Sequence, residues 1–489
     1  MTEAQLNWTD NLAAAPASRL AEIVLPSEPQ RRYRLYVALA IAFYGLAWAI
    51  AIAQGVVKQR PIDFIQADAR GFYAYLPAMV INGNLDFSAA TRMRTGEVIG
   101  GGILDDHNEH GYVVNQWPMG VAITLLPAFL VAHGITWTLY QATGLDAFMP
   151  DGFTLFYQGL CLAWIIGLIT AGMILADKLL QERFRIRGPA IAAAILSFWI
   201  GTHYAWYVFR EPFMAHGVAA AWIIAVFFFV HRILQRIDNR DSEPIEARQW
   251  AGLFLALALC ISMAITCRLT NAVLFPLFVY LLWRITRSGL LGRWLKILPI
   301  ALIGVAPLVA YQVVLRVTTG QAVHTSVQGL GYRQNEVFYW TDPALVQSLI
   351  SSRHGLLSWT PILLIAIWGL WLGLRRDGRW RDPMLVCGVL SLLMLWYINA
   401  SWYAWWFGWS MGNRGFLDLG ILFILGFGFA YDAWSRLGWG ARRAVVTIAV
   451  IGVLVNYALV GAKLTDAIEE QDYPLKWEKR LSTGAWERF

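Results

Sequence analysis

Eleven stretches of this chain are each long and apolar enough to cross a bilayer, and they restrict the fold more than any motif does. They fall at about 35–56, 153–176, 188–208, 214–234, 249–267, 269–285, 297–317, 358–374, 383–400, 416–432 and 443–461. About 20 apolar residues span the hydrocarbon core, where a helix satisfies every backbone N–H and C=O internally. With 58% hydrophobic and 15% charged residues among 489, a soluble globule could not hide this much apolar surface. The expectation is an all-α integral membrane protein. The 25 Trp, 19 Tyr and 25 Phe suit aromatic belts at two interfaces.

The net charge of +7 raises nucleic acid as a partner, but the basic residues sit in short loops between apolar runs, which reads as topology. Arg31, Arg32 and Arg34 precede the first run, and Lys178, Arg183, Arg185 and Arg187 follow the second. Further groups are Arg232, Arg236 and Arg240; Arg284, Arg287, Arg293 and Lys296; Arg375, Arg376, Arg379 and Arg381; and Arg436, Arg442 and Arg443. Placing all of them in the cytoplasm closes the alternation with about 11 spans, N-terminus inside and C-terminus outside.

Residues 118–140 are also apolar enough to cross. A crossing there would invert the charge pattern downstream, so the expectation is a juxtamembrane or re-entrant helix on the outer face, broken near Pro127; the alternative is 12 spans. The expected organisation is a cytoplasmic tail 1–34, a membrane domain 35–461 with outer loops at 57–152 and 318–357, and a short outer tail 462–489. The first 30 residues hold no cleavable signal peptide pattern. Cys161, Cys260, Cys267 and Cys387 have neither metal-ligand nor disulfide-framework spacing and read as buried packing.

An acid beside hydrocarbon is costly unless it is used or paired. Asp68 sits in the first outer loop, in Asp68-Ala69-Arg70-Gly71-Phe72-Tyr73-Ala74-Tyr75-Leu76-Pro77; Asp63 is its rival as a base, and the bland reading of Asp68 is a helix cap. Later outer loops carry further charges. Glu211 follows Arg210 in the loop that ends at His216, where the bland reading is a local ion pair; one acid and one histidine do not make a metal site. Arg268 stands alone between two apolar runs and must face water, a cavity or an anion. Arg353 and His354 lie at the end of the loop 318–357. The stretch Trp402-Tyr403-Ala404-Trp405-Trp406-Phe407-Gly408-Trp409-Ser410-Met411-Gly412-Asn413-Arg414 crowds aromatics, which stack on sugars or pack on lipid chains, ahead of a cation suited to phosphate. Asp105-Asp106-His107-Asn108-Glu109-His110 has a metal-like composition, with Asp106, His107 and His110 as weak candidate ligands; such runs are usually solvated.

Phosphate-binding P-loop, Gly-x-Ser-x-Gly, His-Glu-x-x-His and Cys-x-x-Cys motifs are absent, leaving nucleotide-driven transport and hydrolase chemistry without support. No ionisable series runs through the span centres, which counts against a proton-coupled pump.

Taken in order over about 35–432, these motifs resemble bacterial GT-C glycosyltransferases, the superfamily of oligosaccharyltransferases, protein mannosyltransferases and aminoarabinose transferases. The Asp68…Tyr73-x-Tyr75-Leu76-Pro77 stretch is similar to the segment that opens the catalytic loop in that group, and it favours Asp68 over Asp63. The Trp405-Trp406-x-Gly408-Trp409-Ser410-x-Gly412-x-Arg414 stretch is similar to another of its patterns, with Asn413 where proline is usual. Gln116 stands where many members place a lysine or histidine against the lipid phosphate, so that role is not carried over.

The resemblance implies a GT-C-like helical bundle and inverting transfer of a sugar from a polyprenyl phosphate, undecaprenyl phosphate in bacteria, to a glycan, lipid or protein acceptor at the outer face. It implies Asp68 as the base and Arg268, Arg414 and Arg353 on the donor phosphate. Glu211 would support the acceptor or a metal. Tyr73, Tyr75, Trp402, Tyr403, Trp405, Trp406, Trp409 and His354 would line the sugar or lipid groove. A divalent metal is left open. The competing readings are a lipid-linked sugar or polysaccharide flippase, using the same arginines without chemistry, and an O-antigen polymerase or ligase.

Overall fold

The computed structural model describes residues 28–59, 61–88, 111, 113, 115–239, 247–320, 337–375, 382–408, 411–465 and 467–468. Among these the regular structure is helical, and an isolated antiparallel bridge joins Phe338 and Trp402. The helices are α1 (Glu28–Lys58), α2 (Asp68–Leu76), α3 (Gly120–Thr143), α4 (Leu155–Glu182), α5 (Gly188–Trp199), α6 (Trp206–Phe209), α7 (Ala215–Asp238), α8 (Ala247–Cys267), α9 (Phe275–Arg287), α10 (Leu291–Ile303) and α11 (Ala306–Thr319). They continue with α12 (Leu345–Ile350), α13 (Leu356–Trp359), α14 (Leu363–Arg375), α15 (Pro383–Ser401), α16 (Gly420–Asp432) and α17 (Trp439–Leu464).

Among the described residues nine helical segments are long and apolar enough to cross a membrane, or up to eleven if each of two bent pairs is one span. The bends are 63° between α5 and the 203–209 segment and 49° between α10 and α11. They fall at Gly201-Thr202 and Gly304-Val305, where the sequence reading drew continuous runs. That count includes α3, while α14 is a shorter apolar helix.

Local chemistry sets many boundaries. Proline occupies the first turn of α5, α9, α11 and α15, where its missing N–H costs nothing. Asp382 caps α15 by accepting from Met384 N. Between α14 and α16 a Cβ on Gly369 would lie 1.8 Å from the Gly426 carbonyl oxygen, so these two helices meet backbone to backbone.

One end of the bundle is laced by ion pairs. Arg32 of α1 forks onto Asp177 of α4 at 2.7 and 2.8 Å, and Tyr36 donates to the same carboxylate. Arg183 meets Asp382 and Arg187 meets Asp432, at 2.5 and 2.9 Å. Glu182 joins His231 and Arg232, and Arg284 joins Asp238. These are the basic groups that the charge pattern put on one side. The starts of α7 and of the 414–419 turn and the ends of α8 and α17 gather at the opposite end, where the candidate site lies.

The segment 118–140 corrects one expectation. Helix α3 is unbroken, with Pro127 inside it. Thr124 and His133 meet Trp164 and Tyr157 of α4, while Gly120 abuts the backbone of Thr266 and Cys267 at the end of α8. It therefore runs antiparallel to the first turns of α4, on the site side of the bundle. The proline does not interrupt the helix, which is packed against α4 and α8 on both sides of it.

The expected tails, 1–34 and 462–489, fall largely outside the described residues, which begin at residue 28 and end at residue 468. Cys161, Cys260 and Cys267 are buried and unpaired with one another, and Cys387 is half-buried.

Candidate functional site

Helix α2 starts at Asp68, and the residue before it, Ala67, takes a left-handed φ of 48° that a side chain rarely adopts. No side chain caps the start of this helix. The Asp68 carboxylate instead accepts from Arg414 Nη2 at 2.6 Å, from 346 residues downstream. The helix-cap reading of Asp68 is thereby replaced. Nε of Arg414 is buried without a hydrogen-bond partner among the described residues. A buried guanidinium N–H left over in this way is rare and marks a place for an acceptor.

The rival acid is committed locally. Asp63 accepts from Arg70 at 2.7 Å and from Ile65 N at 2.8 Å, and it orders the approach to α2. Burial pushes its pKa above the usual carboxylate range, against the pull of Arg70. Gln66 completes this turn through the Asp63 carbonyl and also accepts from Arg210 at 2.8 Å. Burial likewise raises Glu211, opposed by the nearby cations Arg210, Arg414 and Lys463. Arg414 thus faces both Asp68 and Glu211, two acids 143 positions apart in sequence that share one cation.

The tyrosines behave differently from the groove-lining expectation. Tyr73 is fully buried among Phe129, Phe153 and Phe213 and donates to the Gly152 carbonyl at 2.6 Å. Tyr75 is buried against Phe87 and donates to the Trp117 carbonyl at 2.5 Å. Both anchor α2 from beneath. A Cβ on Gly71 would sit 2.2 Å from the Trp117 ring, so only glycine lets that tryptophan close over α2. Asn115 fastens the same corner by donating to the Gly71 carbonyl.

Arg268 lies deeper. Its Nη1 is 2.7 Å from His216 Nδ1 and 3.3 Å from Asp418 Oδ2, and its guanidinium lies 5.5 Å from the Phe407 ring centre. His216 Nδ1 is also 2.9 Å from Asp418 Oδ1.

Arg353 stacks on the Trp406 ring at 3.7 Å. His354 is not a solvated loop histidine and does not line a groove. It is fully buried in left-handed backbone (φ 61°), bonds the Trp406 carbonyl through Nδ1 and packs edge-on against Trp359. A carbonyl only accepts, so Nδ1 carries the proton. Burial, with Lys463, Arg414 and Arg353 nearby, holds the pKa of His354 well below its ordinary value, and the ring stays neutral.

In the aromatic stretch Trp405 and Trp406 are also buried, with Ala344 and Ala404, while Trp402 and Tyr403 are half-buried. The Phe338–Trp402 bridge, Tyr403 N on the Val337 carbonyl and Ala344 N on the Ala400 carbonyl sew this loop to the one before it. Asn413, buried where the family pattern has proline, donates to the Trp405 carbonyl at 3.2 Å. Trp409, Asp106, His107 and His110 lie outside the described residues. Among the described residues no three His, Cys, Asp or Glu side chains are grouped to hold a metal.

The structure thus brings Asp68, Glu211, Arg414 and Arg268 to one end of the bundle and ties Arg353 to the same end through Trp406. Arg210, Gln66, Lys463, His216 and Asp418 join them. Of these, Arg210 and His216 flank Glu211 in the sequence and carried no binding role of their own. Nothing local in the sequence marks Lys463, which α17 delivers.

No family model matches the chain, and no curated protein sequence does. Among solved structures it is similar to the crystal structure of ArnT from Cupriavidus metallidurans bound to undecaprenyl phosphate. The TM-score is 0.46 and the identity 14%, over 88% of this chain and 70% of that one. At this distance the likeness assigns no role to any residue here.

Proposed function

We propose that the chain is a GT-C-type membrane glycosyltransferase that transfers a sugar from a polyprenyl-phosphate donor to a glycan, lipid or protein hydroxyl. The observation that carries this reading is the Arg414–Asp68 contact, which joins a first-loop carboxylate to the cation closing the aromatic stretch. The motif resemblance supports it independently. Asp68 takes the proton of the acceptor hydroxyl as its oxygen bonds the anomeric carbon. The bond from that carbon to the phosphate oxygen breaks, and the polyprenyl phosphate leaves with the electron pair. Charge grows on the leaving phosphate, so Arg414, Arg268 and Arg353 stabilise the transition state more than the ground state. Glu211 orients the acceptor, and Trp402 and Tyr403 offer aromatic faces to sugar or lipid. With the laced basic end in the cytoplasm, the site faces the periplasm of a bacterial inner membrane.

The test is transfer from a panel of radiolabelled polyprenyl-phosphate sugars by purified protein, wild type beside Asp68→Asn. Transfer that vanishes in the folded variant supports the reading. Survival in Asp68→Asn moves the base elsewhere. Tight polyprenyl-phosphate binding with no transfer from any donor favours a flippase.

A further inference from the structure

The His216, Asp418 and Arg268 contacts cannot all be hydrogen bonds at once. His216 Nδ1 lies 2.7 Å from the Arg268 donor and 2.9 Å from the Asp418 acceptor. A single ring nitrogen either carries a proton or offers a lone pair. With the proton on Nε2, Nδ1 accepts from Arg268, and Asp418 is neutralised by that same guanidinium at 3.3 Å. With the proton on Nδ1, His216 donates to Asp418 and no longer holds Arg268.

Asp418 is fully buried, and its side chain meets no water. A buried carboxylate that loses its only partner is strongly destabilised. Arg268 could not leave it for a ligand unless something took its place. His216, itself buried and set on a different helix, is placed to do that. The other charged group facing His216 is Arg414, which is occupied with Asp68.

We infer that His216 is a positioning residue that makes Arg268 releasable: it is the alternate partner of Asp418 when Arg268 swings onto an anionic ligand. The inference rests on the reading of Arg268 as a phosphate-binding group. The ring exchanges one tautomer for the other, water taking the proton from Nε2 and water supplying the one gained at Nδ1, so the net charge of the ring is unchanged. Arg268 is then held on Asp418 when no anion competes for it and is freed when one does, without a bare carboxylate in the core.

The experiment measures undecaprenyl phosphate binding to the purified full-length protein in detergent, with thermal unfolding as the check on folding. The variants are His216→Leu, His216→Gln, Asp418→Asn, the double variant His216→Leu/Asp418→Asn, and Arg268→Gln. His216→Leu should lock Arg268 on Asp418 and weaken binding about tenfold. His216→Gln, whose amide can still donate to Asp418, should bind nearly as wild type does. The double variant should regain what His216→Leu lost, because no buried charge is left to hold the arginine. A merely structural histidine would give the opposite, with the double variant no better than the single. Wild-type binding by His216→Leu, or no rescue in the double variant, overturns the inference while leaving Arg268 in its role if Arg268→Gln binds weakly. Unchanged binding by Arg268→Gln overturns the phosphate reading of Arg268 itself.

Discussion

Arg414 donates to Asp68 at 2.6 Å, and its own Nε–H stays buried without a hydrogen-bond partner among the described residues. One guanidinium therefore both orients the candidate base and keeps a donor in reserve. Arg414→Lys keeps the charge but loses the planar fork. Donor KM is expected to rise about tenfold or more, with a fall in kcat as Asp68 loses its fixed position. Steady-state kinetics with varied polyprenyl-phosphate sugar reads both.

Asp63 and Asp68 separate by mutation. Asp68→Asn is expected to lower transfer by about 10²–10⁴-fold, the range for loss of a general base. Asp63→Asn weakens the contact to Arg70 while removing a buried charge, and should leave transfer within several-fold of wild type. A larger transfer defect in Asp63→Asn than in Asp68→Asn would reverse the assignment.

Glu211 gives a pH signature. Burial raises its pKa in the folded protein, so the protonated form suits the fold better. Its contribution to stability is fully present below the unfolded-state pKa and is lost as pH rises through the raised, folded value. Glu211→Gln removes that loss. Thermal unfolding of the variant should occur at a higher temperature than wild type at pH 7, with the two curves meeting near pH 4.

The anchoring of α2 is open to a small cut. Tyr75→Phe deletes the bond to the Trp117 carbonyl inside the core and should cost about 1–3 kcal/mol, since the carbonyl is left without its donor. Gly71→Ala forces a methyl into the Trp117 ring and should cost about as much through overpacking. Chemical denaturation in detergent, monitored by tryptophan fluorescence, measures both.

The spans were legible because apolar length is a one-dimensional property; the contact between Asp68 and Arg414 was not, because it joins residues 346 apart in sequence. Bends at Gly201 and Gly304 were not legible, because glycine is common in membrane helices and only the neighbouring helix decides whether the chain turns there. Tyr73, Tyr75 and His354 looked like site-lining groups because their polar atoms suggest ligands. Each spends that atom on a backbone carbonyl that sequence cannot locate. The His216–Asp418 contact joins residues 202 apart on two helices, and no local pattern announces it. Pro127 misled for a related reason: proline disfavours a helix, but the packing of α3 on α4 and α8 outweighs one missing hydrogen bond.

Because Arg414 comes 346 residues after Asp68, the acid enters the membrane long before its counter-charge is made. At a synthesis rate of about 5–20 residues per second, the gap lasts on the order of 20–70 s. During that interval the nascent protein holds this carboxylate with Arg414 still unmade. The two halves of the candidate site meet only when the aromatic stretch and the helix after it have been made. A chain halted anywhere before that point would lack the Asp68–Arg414 contact.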